Sequence, residues 1–530
     1  MVPQLVLVAA AVLAAWHPPE VYPVSAVVLA VAALVMVPWA WSRTSARGFR
    51  RALAVGSLWV VFLFAGQAGG WDRSEAVAEL FLITSFVLVL WIASREAPTE
   101  AAVIGLALAL AALAFWGISQ SLGGLESMRA EVQHLPEHLQ EGAIARIDQR
   151  RAFASLLLPS HLAAVLAMVL PLLIGRIRSD LVGWLCAALA AVACLGVVAT
   201  RSPVGGGLAV AACCAVLAAA HRRRFVWIGA VASAAAVVVT GLRPDVLELE
   251  PIALRIDNWS AAIWTWWTSP VIGAGLGSFG QAAQAVPWEM GNRPLHAHNL
   301  PLEWLAELGI VGLAVCVLLA CMLVKLVRDL WPRHPGLAAA LLVPPVHNLV
   351  DFSMYSSAVL LPWGLLVAWS VALVKQEKVC PARCAPRRWR ALPVVAASVA
   401  VALSVVTWTS QLLLDAARSE EDPEESFLLA KRSVVLAPWR AEPVEVLAVL
   451  ALDARDRQLA ELAAREMRAA FWQRPRSANR ELMQSQLDQL TGDSVGGVVH
   501  LWSSTTLRPF DRRTRRAFEE ISARMQGRQP

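Results

Sequence analysis

Apolar residues gather into about 13 runs along the chain: 3–16, 22–41, 52–70, 76–94, 101–121, 153–175, 181–200, 204–220, 225–241, 302–324, 336–350, 357–374 and 391–411. Most approach the roughly 20 residues that a helix needs to cross a bilayer. After residue 411 the pattern changes. Residues 412–530 carry 18 basic and 18 acidic residues, with Ala- and Leu-rich stretches such as 443–452 and 458–471. The pattern predicts an all-α protein: a polytopic membrane domain over 1–411 with about 13 transmembrane helices, and a helical domain over 412–530.

Composition agrees. Of 530 residues, 57% are hydrophobic and only 16% charged, against roughly 25% charged in soluble domains. A disordered chain, a collagen-like repeat, a disulfide-rich secreted module and an ordinary soluble enzyme are all excluded. The net charge of +6 does not point to nucleic acid, because the basic residues sort by loop. Alternate loops collect 19 Lys and Arg, among them Arg43, Arg47, Arg50, Arg51, Arg176, Arg178, the run Arg222 to Arg224, and six in 375–390; the other set has 9. The positive-inside rule puts the first set in the cytoplasm. The N-terminus is then cytoplasmic, and loops 122–152 and 242–301 and the tail lie outside. Run 3–16 lacks a basic leader and a cleavage site, and reads as a retained span. Cys186, Cys194, Cys213, Cys214, Cys316 and Cys321 fall within spans. Cys380 and Cys384 fall in a cytoplasmic loop, where a reduced pair of thiols is expected.

In the tail, Ala437-Pro438-Trp439, Arg474-Pro475-Arg476 and Arg508-Pro509-Phe510 recur at spacings of 37 and 34 residues. A proline closing each helical pair at that period is a degenerate tetratricopeptide pattern. Such a domain docks a partner or a glycan chain on a concave surface; the plainer reading is a small helical cap.

Polar groups beside apolar runs are the informative ones in a membrane domain. Thr200-Arg201-Ser202-Pro203 forms a turn between two runs. Ser202 is placed as N-cap with Pro203 at the first helical position. The helix N-terminus and Arg201 make an anion site, or Arg201 merely snorkels. The long outer loop 242–301 opens with an amphipathic stretch around Arg255. There Trp259, Ile263 and Trp266 share one helical face, for a helix lying in the headgroup region or a passive aromatic belt. Gly273-x-Gly275-x-Gly277 follows, suited to a tight or re-entrant loop and not to a dinucleotide site. Next come His296-Ala297-His298-Asn299. Asn299, Glu303 and Glu307 recur at i, i+4 and i+8 and share a face. Two carboxylates entering a bilayer are costly unless paired or functional. His296 and His298 are open to base chemistry, metal binding or structural pairing. His347 and Asp351, at another outer span end, read as a mutual pair.

The run His298-Asn299…Glu307-x-Gly309-x-x-Gly312 resembles the signature of the O-antigen ligase and polymerase family of bacterial membrane glycosyltransferases. Thr200-Arg201-Ser202 resembles that family's outer Arg-Ser motif. Arg255, Trp259, Ser269-Pro270 and the glycines at 273, 275 and 277 resemble the segment leading to its histidine. Pro159-Ser160-His161 stands where the family has a Pro-Asn pattern, without the Asn. The likeness spans 150–530, with 150–375 as its core.

The resemblance implies a membrane glycosyltransferase fold of the C type, no metal and no cofactor. It implies an undecaprenyl-diphosphate-linked glycan as donor and a glycan, lipid A–core or protein as acceptor. The reaction lies at the periplasmic face of the inner membrane, with the tail in the periplasm. By motif, His298 is the base with Glu307 as its supporting catalytic residue, Arg201 and Arg255 hold the pyrophosphate, and His296 and Asn299 join them in binding the substrate. A polysaccharide or lipid-linked glycan transporter is the competing expectation. It requires internal repeats and midplane charges, whereas the polar groups here cluster at one face.

Overall fold

A computed structural model describes residues 2–17, 74–132, 147–156, 158–221, 249–288, 294–376, 391–438, 442–469 and 478–507, with a few isolated positions elsewhere. Runs 52–70 and 225–241, most of 22–41, Cys380, Cys384, Arg222 to Arg224 and the Pro475 and Pro509 turns lie outside them. Among the described residues every regular element is a helix. Four helices among the described residues are long and apolar enough to cross a membrane: Glu100–Ser127, Leu181–Thr200, Leu300–Leu330 and Ser357–Lys375. Shorter apolar helices are Gln4–Trp16, Leu82–Ala93, Pro159–Ile174, Pro203–Ala219 and Pro335–His347. The chain is a multi-pass membrane protein. It divides into two compact units, one of 1–50, 82–250 and 317–398, the other of 51–81, 251–316 and 399–530.

The first unit is built around helix Pro159–Ile174. Pro159 opens it at a position where no backbone donor is missed. Every side chain from His161 to Leu173 is buried, as expected of a helix that is apolar all round. Helices Glu100–Ala111, Leu181–Thr200, Pro203–His221 and Pro335–His347 pack against it. Lipid is as apolar as leucine, so close packing at small residues drives this association. A Cβ at Gly196 would stand 2.6 Å from the Ala114 Cβ and 2.8 Å from Leu166 Cδ1, and one at Gly117 2.9 Å from Leu162. Capping residues fix the helix starts: Asp180 accepts the Gly183 N–H at 2.7 Å, and Thr99 that of Ala102 at 3.2 Å.

The second unit holds the segment 251–316 and the tail. Helices Pro423–Leu436, Glu442–Ala454, Arg457–Ala469, Ala478–Thr491 and Ser494–Leu507 follow one another along the tail. The core of the first four, with Leu414 and Ala417 of the preceding helix Ala391–Ser419, is largely alanine and leucine, joined by Phe427 and Met467. Asp422 caps the first of them, and Pro423 occupies its first turn.

Helix Leu249–Thr268 carries the predicted amphipathic stretch. Asn258, Ala261, Ala262 and Thr265 are the buried side, while Ile256, Ile263 and Trp267 are exposed. The small side chains give the closest approach to the rest of the unit. The bulky apolar ones face outward, as suits a lipid boundary.

Candidate active site

In the first unit, the predicted turn after Leu181–Thr200 forms as read. Arg201 ends the helix in the left-handed region, at φ 48. That conformation is uncommon for a residue with a Cβ. The Thr200 hydroxyl accepts the Ser202 N–H at 3.2 Å, and Ser202 Oγ accepts the Gly205 N–H at 3.3 Å, so Ser202 caps the next helix. A second strip of chain runs alongside. Ala152 N–H donates to Ala199 O at 3.0 Å, Arg151 Nε to Thr200 O at 3.3 Å, and the exposed Arg201 guanidinium to Gln149 O at 2.9 Å. That strip is pinned by buried Gln120, whose Oε1 accepts the Ala154 N–H at 2.7 Å and whose amide donates to Ala154 O at 3.1 Å.

At the other polar place of this unit, helix Pro335–His347 ends before Asp351, so the i, i+4 relation is not helical. His347 Nδ1 lies 3.1 Å from Ser353 Oγ. Asp351 accepts from the Phe352 N–H at 2.7 Å and from Ser160 Oγ at 3.4 Å. His161 packs edge-on against Phe352.

In the second unit, the glycine loop and the helix carrying Glu303 and Glu307 form a single structure. Helix Leu300–Leu330 breaks at Gly309, where φ is 64 and ψ −157. A break leaves backbone groups without helical partners. Ile310 N–H, which in a continuous helix would reach Ala306 O, donates to Pro270 O at 2.9 Å. The released Ala306 O accepts from Ala274 N–H at 2.9 Å, and Glu307 O from Gly275 N–H at 2.8 Å. The loop thus supplies the bonds that the helix gave up. Gly309 and Gly273 must both be glycine here. Each has positive φ, and a Cβ at Gly309 would strike the Val271 carbonyl, and one at Gly273 the Glu307 carbonyl.

Both carboxylates are 1% exposed, and each accepts a backbone N–H from the loops. Glu307 Oε1 accepts the Phe279 N–H at 3.0 Å, where the short turn Phe279–Ala282 begins. Glu303 Oε1 lies 2.7 Å from His296 Nδ1, and Oε2 accepts the Ala297 N–H at 2.9 Å. Asn299 Oδ1 accepts the Leu302 N–H at 3.0 Å and so caps the helix. His298, between these residues, is half-buried and left-handed at φ 55. Around Phe279, the residues Ala261, Ala262, Ala283, Val286, Ala297 and Ala306 form one apolar cluster. That cluster joins the helix bearing Arg255 to the segment bearing His296 and His298. Among the described residues no group of three or more His, Cys, Asp or Glu side chains is gathered to hold a metal ion.

His296, His298, Asn299 and Glu307 are therefore neighbours in one structure, with Arg255 on a helix packed into it. Arg201 belongs to the first unit. Sequence reasoning placed Glu303 on the right face but gave it no role. Its distance of seven residues from His296 was the available signal. Residues 163–317 match a family model described as O-antigen ligase. No curated protein matches the sequence.

Proposed function

Starting from a membrane core that belongs to the O-antigen ligase family, we propose that the protein is a membrane glycosyltransferase of the C type. It transfers or polymerises glycan from an undecaprenyl-diphosphate donor at the periplasmic face of the inner membrane, without metal. The observation that carries this reading is the match over 163–317 together with His298 held at φ 55 ahead of a capped helix. A strained, over-determined backbone is a mark of functional positions.

In this reading a hydroxyl of the acceptor attacks the anomeric carbon of the donor sugar. The bond from that carbon to the pyrophosphate oxygen breaks, and undecaprenyl diphosphate leaves. The hydroxyl proton goes to His298, a contribution of about 10²–10⁴-fold. Pyrophosphate is already a good leaving group, so the remaining need is charge stabilisation, assigned to Arg201 and Arg255. Glu307 and Asn299 act through structure: the first holds the loop at Phe279, the second caps the helix after His298. The tail is assigned to the periplasm as a tetratricopeptide-like domain that handles a glycan chain or protein partner.

The test is purified protein with a native undecaprenyl-diphosphate glycan. A ladder of longer lipid-linked chains identifies a polymerase. Label moving to lipid A–core or to a protein identifies a ligase. Absence of transfer to every acceptor sinks the proposal and favours a transporter.

A further inference from the structure

Glu303 and Glu307 sit one helical turn apart and are equally buried, yet they hold different things. Glu307 uses Oε1 on the glycine loop. Glu303 uses both oxygens on the histidine segment, one at His296 Nδ1 and one at the Ala297 N–H. The residue that follows is His298. An ionised carboxylate is acceptor-only. Against an ionised Glu303 the hydrogen of the 2.7 Å contact is on His296 Nδ1, which leaves the lone pair of a neutral ring on Nε2. The His296 side chain is 24% exposed while Glu303 is 1% exposed. The pair thus joins a buried carboxylate that orients to a histidine that is partly exposed.

We infer that Glu303 is a positioning residue that turns His296 into a second hydrogen-bond acceptor for the hydroxyl of the incoming sugar, beside His298. The inference rests on the transferase reading above. His296 Nε2 accepts a hydrogen bond from the sugar and orients it; the proton itself passes to His298. One carboxylate performs two tasks: it sets the His296 tautomer, and through Ala297 it fixes the turn that presents His298. A histidine in the wrong tautomer is a poor acceptor even when its position is unchanged; in serine-protease triads that change costs about 10⁴-fold in kcat.

Three full-length variants test this. Glu303→Gln keeps the shape: its amide oxygen faces the Ala297 N–H and its amide nitrogen donates to His296 Nδ1, which moves the ring proton to Nε2. His296→Asn keeps a donor for Glu303 and removes Nε2. Glu303→Ala removes both bonds. The readouts are transfer kinetics, the thermal midpoint, and the rate of diethyl pyrocarbonate labelling at His296, read by peptide mass spectrometry at about pH 8, above the imidazole range. Glu303→Gln is expected to slow His296 labelling and to lower kcat on the order of 10²-fold, with the thermal midpoint and the donor KM kept. His296→Asn is expected to lose the same activity, which a mere brace for the turn would retain. Wild-type turnover in either variant overturns the inference. Unchanged labelling in Glu303→Gln also overturns it, because the tautomer is then set elsewhere. A wild-type protein that transfers nothing, but whose His296 labelling falls in Glu303→Gln, sinks the transferase reading while the pair stands. Glu303→Ala provides the control for a lost turn, with both labelling and stability altered.

Discussion

Among the described residues, two histidine–carboxylate pairs share a 2.7 Å spacing in different settings. His296 pairs with Glu303 across seven residues, at the entry to a broken helix. His500 pairs with Glu481 across 19 residues, between helices Ser494–Leu507 and Ala478–Thr491 of the tail. The tail pair belongs to a wider network. His500 Nε2 lies 3.7 Å from Asp488, which also accepts from Arg468 at 3.1 Å and Gln484 at 2.7 Å. There the imidazole bridges two carboxylates and holds helices together. At Glu303 the pair is local, and what it holds is a left-handed turn bearing a second histidine. A histidine beside a carboxylate is therefore not in itself a reactive site. The backbone it fixes, and what stands next in the chain, decide its use.

The largest effect that sharpens this contrast is at His298. His298→Ala is expected to lower transfer by about 10²–10⁴-fold with the thermal midpoint unchanged, whereas His500→Gln leaves the specific rate as it was. Equal losses from both would erase the distinction between the two sites. Gly309→Ala comes next. The new Cβ meets the Val271 carbonyl in a conformation that disfavours L side chains, so the glycine loop must leave the helix break. A loss on the order of 2–4 kcal/mol is expected, seen as a lower melting temperature with reduced transfer. Retention of both would mean that the loop and helix do not depend on each other.

Arg201→Lys probes a position outside both pairs. A fork-shaped contact to a phosphate does not survive replacement by a point charge. Loss of one charge-assisted bond corresponds to roughly ten-fold in kcat/KM. A rate equal to wild type would remove Arg201 from the pyrophosphate.

The smallest effect is in the tail. The hydrogen bond that His500 donates to Glu481 raises the His500 pKa above its ordinary value, aided by the charges of Glu481 and Asp488 and opposed by burial and Arg468. The folded state binds the proton more tightly than the unfolded one. The stabilisation is therefore fully present below about pH 6.5, the unfolded value, and is lost as pH rises through the raised folded value. His500 is partly exposed, so solvent screens the pair and the contribution is about 1 kcal/mol or less. Amide protection over 494–507 in the whole protein, measured relative to the intrinsic exchange rate at each pH, should fall as the pH rises. The same pH step in His500→Gln should have little effect there. Equal pH sensitivity in both would exclude His500 as the source.

Much of the fold was legible from simple patterns. Long apolar runs leave few alternatives to helices in a bilayer, because every backbone group must be satisfied within its own segment. The Ser202-Pro203 helix start was legible for a similar reason: capping is a local interaction between residues three apart. The shared face of Asn299, Glu303 and Glu307 also followed from the helical period. Other features were not local. The buried face of Leu249–Thr268 proved to be the one with small residues, because close packing and not water exclusion selects it. The strip at 149–152 that receives Arg201 is held by Gln120, about thirty positions earlier, and no period links them.

By itself, then, the sequence determined a helical membrane protein with a charged helical tail, and marked the residues around which chemistry was expected. It did so because hydrophobic length, capping and periodicity act over a few residues. Only the tertiary structure decided what those residues hold. The glycine loop and the break at Gly309 satisfy each other's backbone across more than thirty positions. Glu307 serves the loop, and Glu303 serves the histidines. Each is a buried polar group, and a buried polar group takes whichever partner the fold brings within hydrogen-bond reach.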